Sequence, residues 1–215
     1  MGLLVGGVGG RLAMSLLAAL NPSAHGKVSD DGFVMGQVTA SGTLNLLMVS
    51  SFIGVFGGGI YLVLRGLMIG PRWFQVLSVS VGPAVVVGAM LVHRDGIDFV
   101  LLQPAWLAIA LFVLIPALYG AMLTLVAEPW LEPGSRVLNA PLPLLALILL
   151  LGWVPVFPAA LTLAACWLLL QALRQVPVTA ALVSHPVTHW VARAALAVVF
   201  TMSLAALLGD IRFLV

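Results

Sequence analysis

Six stretches of this chain stay apolar for about the length a bilayer requires: residues 3–20, 44–64, 73–92, 105–127, 142–173 and 190–208. A hydrocarbon core of about 30 Å takes roughly 20 helical residues. The apolar positions are consecutive rather than alternating, and many runs are too long for tilted barrel strands. The pattern therefore predicts an all-α, polytopic transmembrane helix bundle and excludes a β-barrel. A single bundle over residues 1–215, with six spans, is the expectation.

The fifth run is irregular. Its thirty-two residues would extend about 48 Å as one straight helix. Pro155 and Pro158, following Gly152 and Trp153, remove amide donors and force a kink or break. One tilted, kinked span is the preferred reading. A hairpin of two half-length helices, giving seven segments in all, is the alternative.

At the N-terminus, Arg11 followed by Leu12–Leu20 and Asn21-Pro22-Ser23-Ala24 imitates a secretory leader. Residues 2–10 are apolar and glycine-rich rather than basic, so 3–20 is read as the first span. Gly6/Gly10 and Gly54/Gly58 share the small-xxx-small spacing that lets helix backbones approach, which predicts contact between the first two helices. Trp73, Trp106, Trp130 and Trp190 lie near run ends, as interfacial anchors do.

Composition agrees. Of 215 residues, 62% are hydrophobic and 7% charged, against roughly a quarter charged in soluble domains. Such a chain cannot cover its surface with polar groups, so lipid is its solvent. No basic cluster interleaved with aromatics supports nucleic-acid binding. The lone Cys166 cannot form an intramolecular disulfide and reads as a packing residue.

Six spans put the loops 21–43, 93–104 and 174–189 on one face, with His25, His93, His185 and His189 and the acids Asp30, Asp31, Asp95 and Asp98. Glu128, Glu132 and Asp210 fall on the other. With a cytoplasmic N-terminus, Arg65, Arg72, Arg136 and Arg212 face the cytoplasm, and Lys27, Arg94 and Arg174 face outward, with Arg193 just inside the sixth run. That even split barely orients the chain.

The adjacent Asp30 and Asp31 are candidate proton donors, since neighbouring carboxylates repel and one is driven towards its protonated form. They equally suit a cation ligand or a turn, Asp31-Gly32 being a turn dipeptide, with Ser41 or Thr43 capping the second helix. His93, Asp95 and Asp98 form a second charged turn and join the same-face catalytic candidates. His185 and His189 stand four apart, a spacing that suits a metal, but Pro186 intervenes and no accompanying acid completes a motif. No metal and no cofactor is expected.

Arg11 is the most demanding residue. It falls near the middle of the first run, where a charge costs several kcal/mol unless paired or hydrated. No acid lies inside another span as assigned. Its partner is then a loop acid, a backbone carbonyl, water or a bound anion, unless the helix is shifted so that Arg11 reaches an interface.

From Arg11 to Leu131 the sequence resembles a family of small, uncharacterised polytopic membrane proteins from high-GC Gram-positive bacteria. The matching stretches are Arg11-Leu12-Ala13-Met14, Ser29 to Thr43, Gly57-Gly58-Gly59-Ile60-Tyr61 through Arg65, and His93 to Pro104. The resemblance implies a multi-pass protein of a bacterial inner membrane and assigns no site residue.

Three functions fit these features. One is a membrane-embedded enzyme using acid–base chemistry on an apolar lipid or isoprenoid. The second is a non-catalytic subunit or scaffold whose charged loops bind a membrane-protein partner. The third, a small-solute transporter, is disfavoured by the absence of acids within spans and of an internal repeat.

Overall fold

The computed structural model describes residues 1–30, 32–132 and 185–215. These residues are all-helical apart from loops and one isolated antiparallel bridge, Val28 with Val34. In chain order the helices are α1 (Gly2–Leu20, π-wound over Gly2–Gly9), α2 (Ala40–Leu64, continued to Leu67 by a 3-10 turn), α3 (Arg72–Leu91), α4 (Ile97–Leu101), α5 (Ala105–Leu131) and α6 (Pro186–Leu214). All but α4 are long and apolar enough to cross a bilayer, making five such helices among the described residues. The chain is a multi-pass membrane protein. The run 142–173, Cys166, Arg136 and Arg174 lie outside the described residues.

Lipid offers helices no hydrophobic reason to associate, so close packing at small residues has to do it. α1 and α2 run antiparallel with Gly2 against Ser50 and Gly54, Gly6 against Ser50 and Gly7 against Leu47. The predicted glycine seam is therefore real at Gly6 and Gly54 but displaced at its other members. Gly10 meets only the tip of Leu46, and Gly58 faces open space. Gly57 instead receives the ring of Tyr119, whose hydroxyl donates to the Gly54 carbonyl. α3 and α5 form the most extensive helix pair. At its centre Gly120 lies so close to the Val79 carbonyl that a side chain there would strike backbone. The hydroxyl of Ser80 donates to the Ala117 carbonyl at 3.0 Å beside that contact. The tryptophans expected as anchors, Trp73, Trp106, Trp130 and Trp190, are all exposed near helix ends.

The bundle has two distinct ends. At one, called here the loop end, α1 and α3 finish and α2 and α5 begin. Buried Leu17, Ala24, Val92, Phe99, Leu102 and Leu207 make its core. At the far end Arg65 of α2 donates to both oxygens of Glu128 of α5, Nε to Oε1 at 2.8 Å and Nη2 to Oε2 at 3.1 Å, and Tyr61 adds its hydroxyl to Oε1. Glu128 thus lies inside a helix and pairs in two-pronged fashion, although its run was expected to end at 127. Arg72 and Glu132 form a looser, more exposed pair at 3.8 Å nearby.

The direction of α6 corrects the expected faces. Arg193 donates to the Leu67 carbonyl at 2.9 Å and sits over the Trp190 ring, which fixes the start of α6 at the far end. Leu207 packs against Gly88, and Ile211 and Leu214 join the loop-end core. His185 and His189 therefore stand at the end opposite His25 and His93, while Asp210 and Arg212 stand at the loop end. Glu132 and His185, which flank the undescribed stretch, both lie at the far end. The two histidines also do not share a helical face. His185 precedes the helix as its cap, its Nδ1 accepting from the Val187 amide at 3.3 Å. The faces are testable with Lys27→Cys and His189→Cys, each in a Cys166→Ser background. An impermeant thiol reagent should label them from opposite sides of the membrane, and labelling from one side would overturn the direction of α6.

Candidate functional site

The loop end is built by polar side chains that tie two connections together. α1 stops at Asn21, whose buried side chain donates to the Leu17 and Gln103 carbonyls, both at 2.9 Å. Its Oδ1 accepts from the Gln103 amide at 2.7 Å. One amide thus satisfies an orphan carbonyl at the end of α1 and clamps it to the segment before α5.

Residues 26–36 then fold back on themselves as a short hairpin. The Gly26 amide donates to Met35 O at 3.0 Å, Met35 N to Lys27 O at 2.8 Å, and Ser29 N to Phe33 O at 2.8 Å. Gly26 and Gly36, at its two feet, have φ of 82° and 79°, the left-handed region that glycine enters without steric cost. At Gly36 a second reason applies, since a Cβ would fall 2.6 Å from the His25 ring. That ring lies across the hairpin foot and its Nε2 bonds the Ala18 carbonyl at 2.9 Å. A carbonyl only accepts, so Nε2 carries the proton, and Nδ1 is left as the ring's proton-accepting atom. The chain enters α2 at Thr39, whose Oγ1 accepts from the Gly42 amide at 3.1 Å. Thr39 is thus the cap, not Ser41 or Thr43.

Asp30 reaches across to the second connection. Its Oδ1 accepts from Ile97 N at 3.1 Å and its Oδ2 from Asp98 N at 3.3 Å, so the carboxylate caps the first turn of α4. Both contacts use it as an acceptor. Asp31 lies outside the described residues. Asp95 is exposed on the α3–α4 turn, and His93, also exposed, donates from Nδ1 to Leu91 O at 3.0 Å. Asp98 is half-buried and turns towards α1.

Between the hairpin and α1 lies a cavity of about 230 Å³. Met14, Ala18, Phe33, Met35, Leu102 and Phe112 give it apolar walls, and Arg11, His25 and Asp98 bring the charge-bearing groups. The side chain of Arg11 is half-buried, and its Nε, shielded from solvent, has no hydrogen-bond partner. Ser15, also on the wall, spends its proton on the Arg11 carbonyl at 2.8 Å.

The structure thus gathers two of the expected candidates, Arg11 and Asp98, with His25, which sequence noted only as a loop histidine. Asp30 serves the site from outside by holding α4. His93 and Asp95 are not on the cavity wall, and His185 and His189 are at the other end of the bundle. Among the described residues no cluster of three or more His, Cys, Asp or Glu side chains is arranged to hold a metal. Asn21 went unnoticed in sequence because its partner is 82 residues away. The glycines at 26, 32 and 36 were the available signal for the hairpin.

The chain matches no family model, no curated protein and no solved structure.

The clamp has a measurable consequence. Asn21→Ala leaves the Gln103 amide and carbonyl unpaired in a buried setting, at a cost of about 1–3 kcal/mol. A clear fall in the thermal unfolding midpoint in detergent is expected, with little change for Ser23→Ala on the exposed turn beside it. Equal midpoints would show that the two connections are held together by something else.

Proposed function

We propose that the protein is a membrane-embedded enzyme acting on an apolar lipid or isoprenoid, and that the cavity beneath the 26–36 hairpin is its active site. The observation that carries this reading is the composition of one cavity. A carboxyl, an imidazole and a guanidinium meet apolar and aromatic walls at the edge of the lipid. A scaffold surface has no need of such a recess.

The chemistry the site supports is proton-in, proton-out rearrangement, which needs no co-reactant. Asp98 delivers a proton to the substrate, and His25, held in one tautomer by Ala18, removes another at Nδ1. The faces of Phe33 and Phe112 suit positive charge developing between the two steps. Acid duty is assigned to Asp98 in place of Asp30, which is engaged as an acceptor at α4, while Asp31 lies outside the described residues. On the same reading the protein resides in a bacterial inner membrane with a cytoplasmic N-terminus, which turns the cavity mouth outward.

Lipid extracted from the detergent-purified protein and analysed by mass spectrometry tests this. A lipid species enriched over the surrounding membrane is expected with the wild type and lost with Ser15→Trp, which fills the cavity. Asp98→Asn should retain lipid but shift it from product to unreacted substrate, a change in bond arrangement at equal mass visible by chromatography. Identical bound species in the wild type and Asp98→Asn would make the protein a lipid-binding scaffold. No enrichment at all would remove the cavity from its function.

A further inference from the structure

The cations of this protein are dealt with in different ways. Arg65 is forked onto Glu128, Arg72 lies near Glu132, and Arg193 donates to a helix-end carbonyl and covers a tryptophan. Arg11 shares none of these solutions. Nine residues separate it from each end of α1, about 13 Å of helix in both directions, further than its side chain extends. Neither ion pair of the described residues involves it.

A charge at that depth costs several kcal/mol unless something compensates it. The side chain meets a cavity whose walls are mostly apolar, Met14, Ala18, Met35 and Phe112 among them, with Ser15, Gln37 and Asp98 among the polar exceptions. The cavity's size narrows the guest further. Pockets that enclose whole ligands run to roughly 300–1,000 Å³, so about 230 Å³ takes a head group and the first part of a chain, leaving the rest in the bilayer.

We propose that Arg11 is the seat of an anionic head group, a phosphate or a carboxylate, carried on a single apolar chain. This rests on the cavity being the lipid site and adds the charge class of what enters it. The guanidinium supplies a planar fork matched to two oxygens of either head. The head group supplies a charge-matched partner to a guanidinium whose Nε has no hydrogen bond among the described residues.

Delipidated protein in a neutral detergent is titrated with hexadecyl phosphate, palmitate, hexadecanol and inorganic phosphate. A charge-assisted contact of about 1.5–3 kcal/mol corresponds to roughly 10- to 100-fold in affinity. At least one of the two anionic amphiphiles should therefore bind 10-fold or more tighter than hexadecanol. Which of them does so separates a phosphate from a carboxylate head. Inorganic phosphate should bind far more weakly, since it lacks the chain. The preference for charge should vanish in Arg11→Gln and persist in part in Arg11→Lys, while Ser15→Trp should abolish all binding. Hexadecanol binding as tightly as both anions, or an unchanged preference in Arg11→Gln, would overturn the assignment and leave the lipid cavity standing. Binding of free phosphate as tight as that of the amphiphile would make this a small-anion site and overturn it too. If no chain binds, the cavity reading fails with it. Should Arg11→Gln not fold, the Arg11→Lys and Ser15→Trp arms decide.

Discussion

A guanidinium midway along a membrane helix sets the terms for the loop end of this molecule. Lipid cannot solvate it, and α1 carries it nine positions from either helix end. The chain answers by bringing polar structure to the charge. The 26–36 hairpin packs along α1 from Ala18 towards Arg11, α4 presents Asp98 to the same recess, and Asn21 and Asp30 lock those two connections together. Each of these contacts serves to hold a polar recess against the flank of a lipid-facing helix.

The far end shows the contrasting solution. Glu128 accepts from Arg65 and Tyr61 together, so charge and hydrogen-bonding capacity cancel locally and two helices are pinned. Such a pair is complete. Paired charge stands at one end and a guanidinium with an unpartnered Nε at the other, and on the proposed reading the first end is structural and the second receptive. A site that tolerates an unfavourable charge for the sake of a ligand is a common trade of stability for function.

Much of the architecture was legible in the amino-acid sequence because lipid is an unforgiving solvent. Unbroken apolar runs have one viable backbone solution, and the runs at 3–20, 44–64, 73–92, 105–127 and 190–208 each fall on a helix. Arg11 stood out for the same reason, as a charge near the middle of an apolar run. What sequence could not supply was pairing at a distance. Asp30 looked like half of an acidic pair, yet its geometry is decided by amides 67 and 68 residues on. Glu128 sat one residue beyond an apolar run, and only the approach of Arg65 makes it part of the bundle. The direction of α6 depended on counting crossings through the run 142–173, which lies outside the described residues, and only the contacts of Arg193 and Leu207 place its two histidines.

The central claim is that Arg11 is kept for what it binds and not for what it holds together. Replacing a buried, unpaired charge with an apolar side chain of similar length is neutral or stabilising, whereas stranding one member of a built pair is destabilising. The direct measurement is the thermal unfolding midpoint of delipidated protein, comparing the wild type with Arg11→Met and, as the contrasting control, with Glu128→Gln. Arg11→Met should unfold at the same temperature as the wild type or higher, and Glu128→Gln lower. A fall of several degrees for Arg11→Met, matching that of Glu128→Gln, would contradict the account by making Arg11 a structural partner within the bundle.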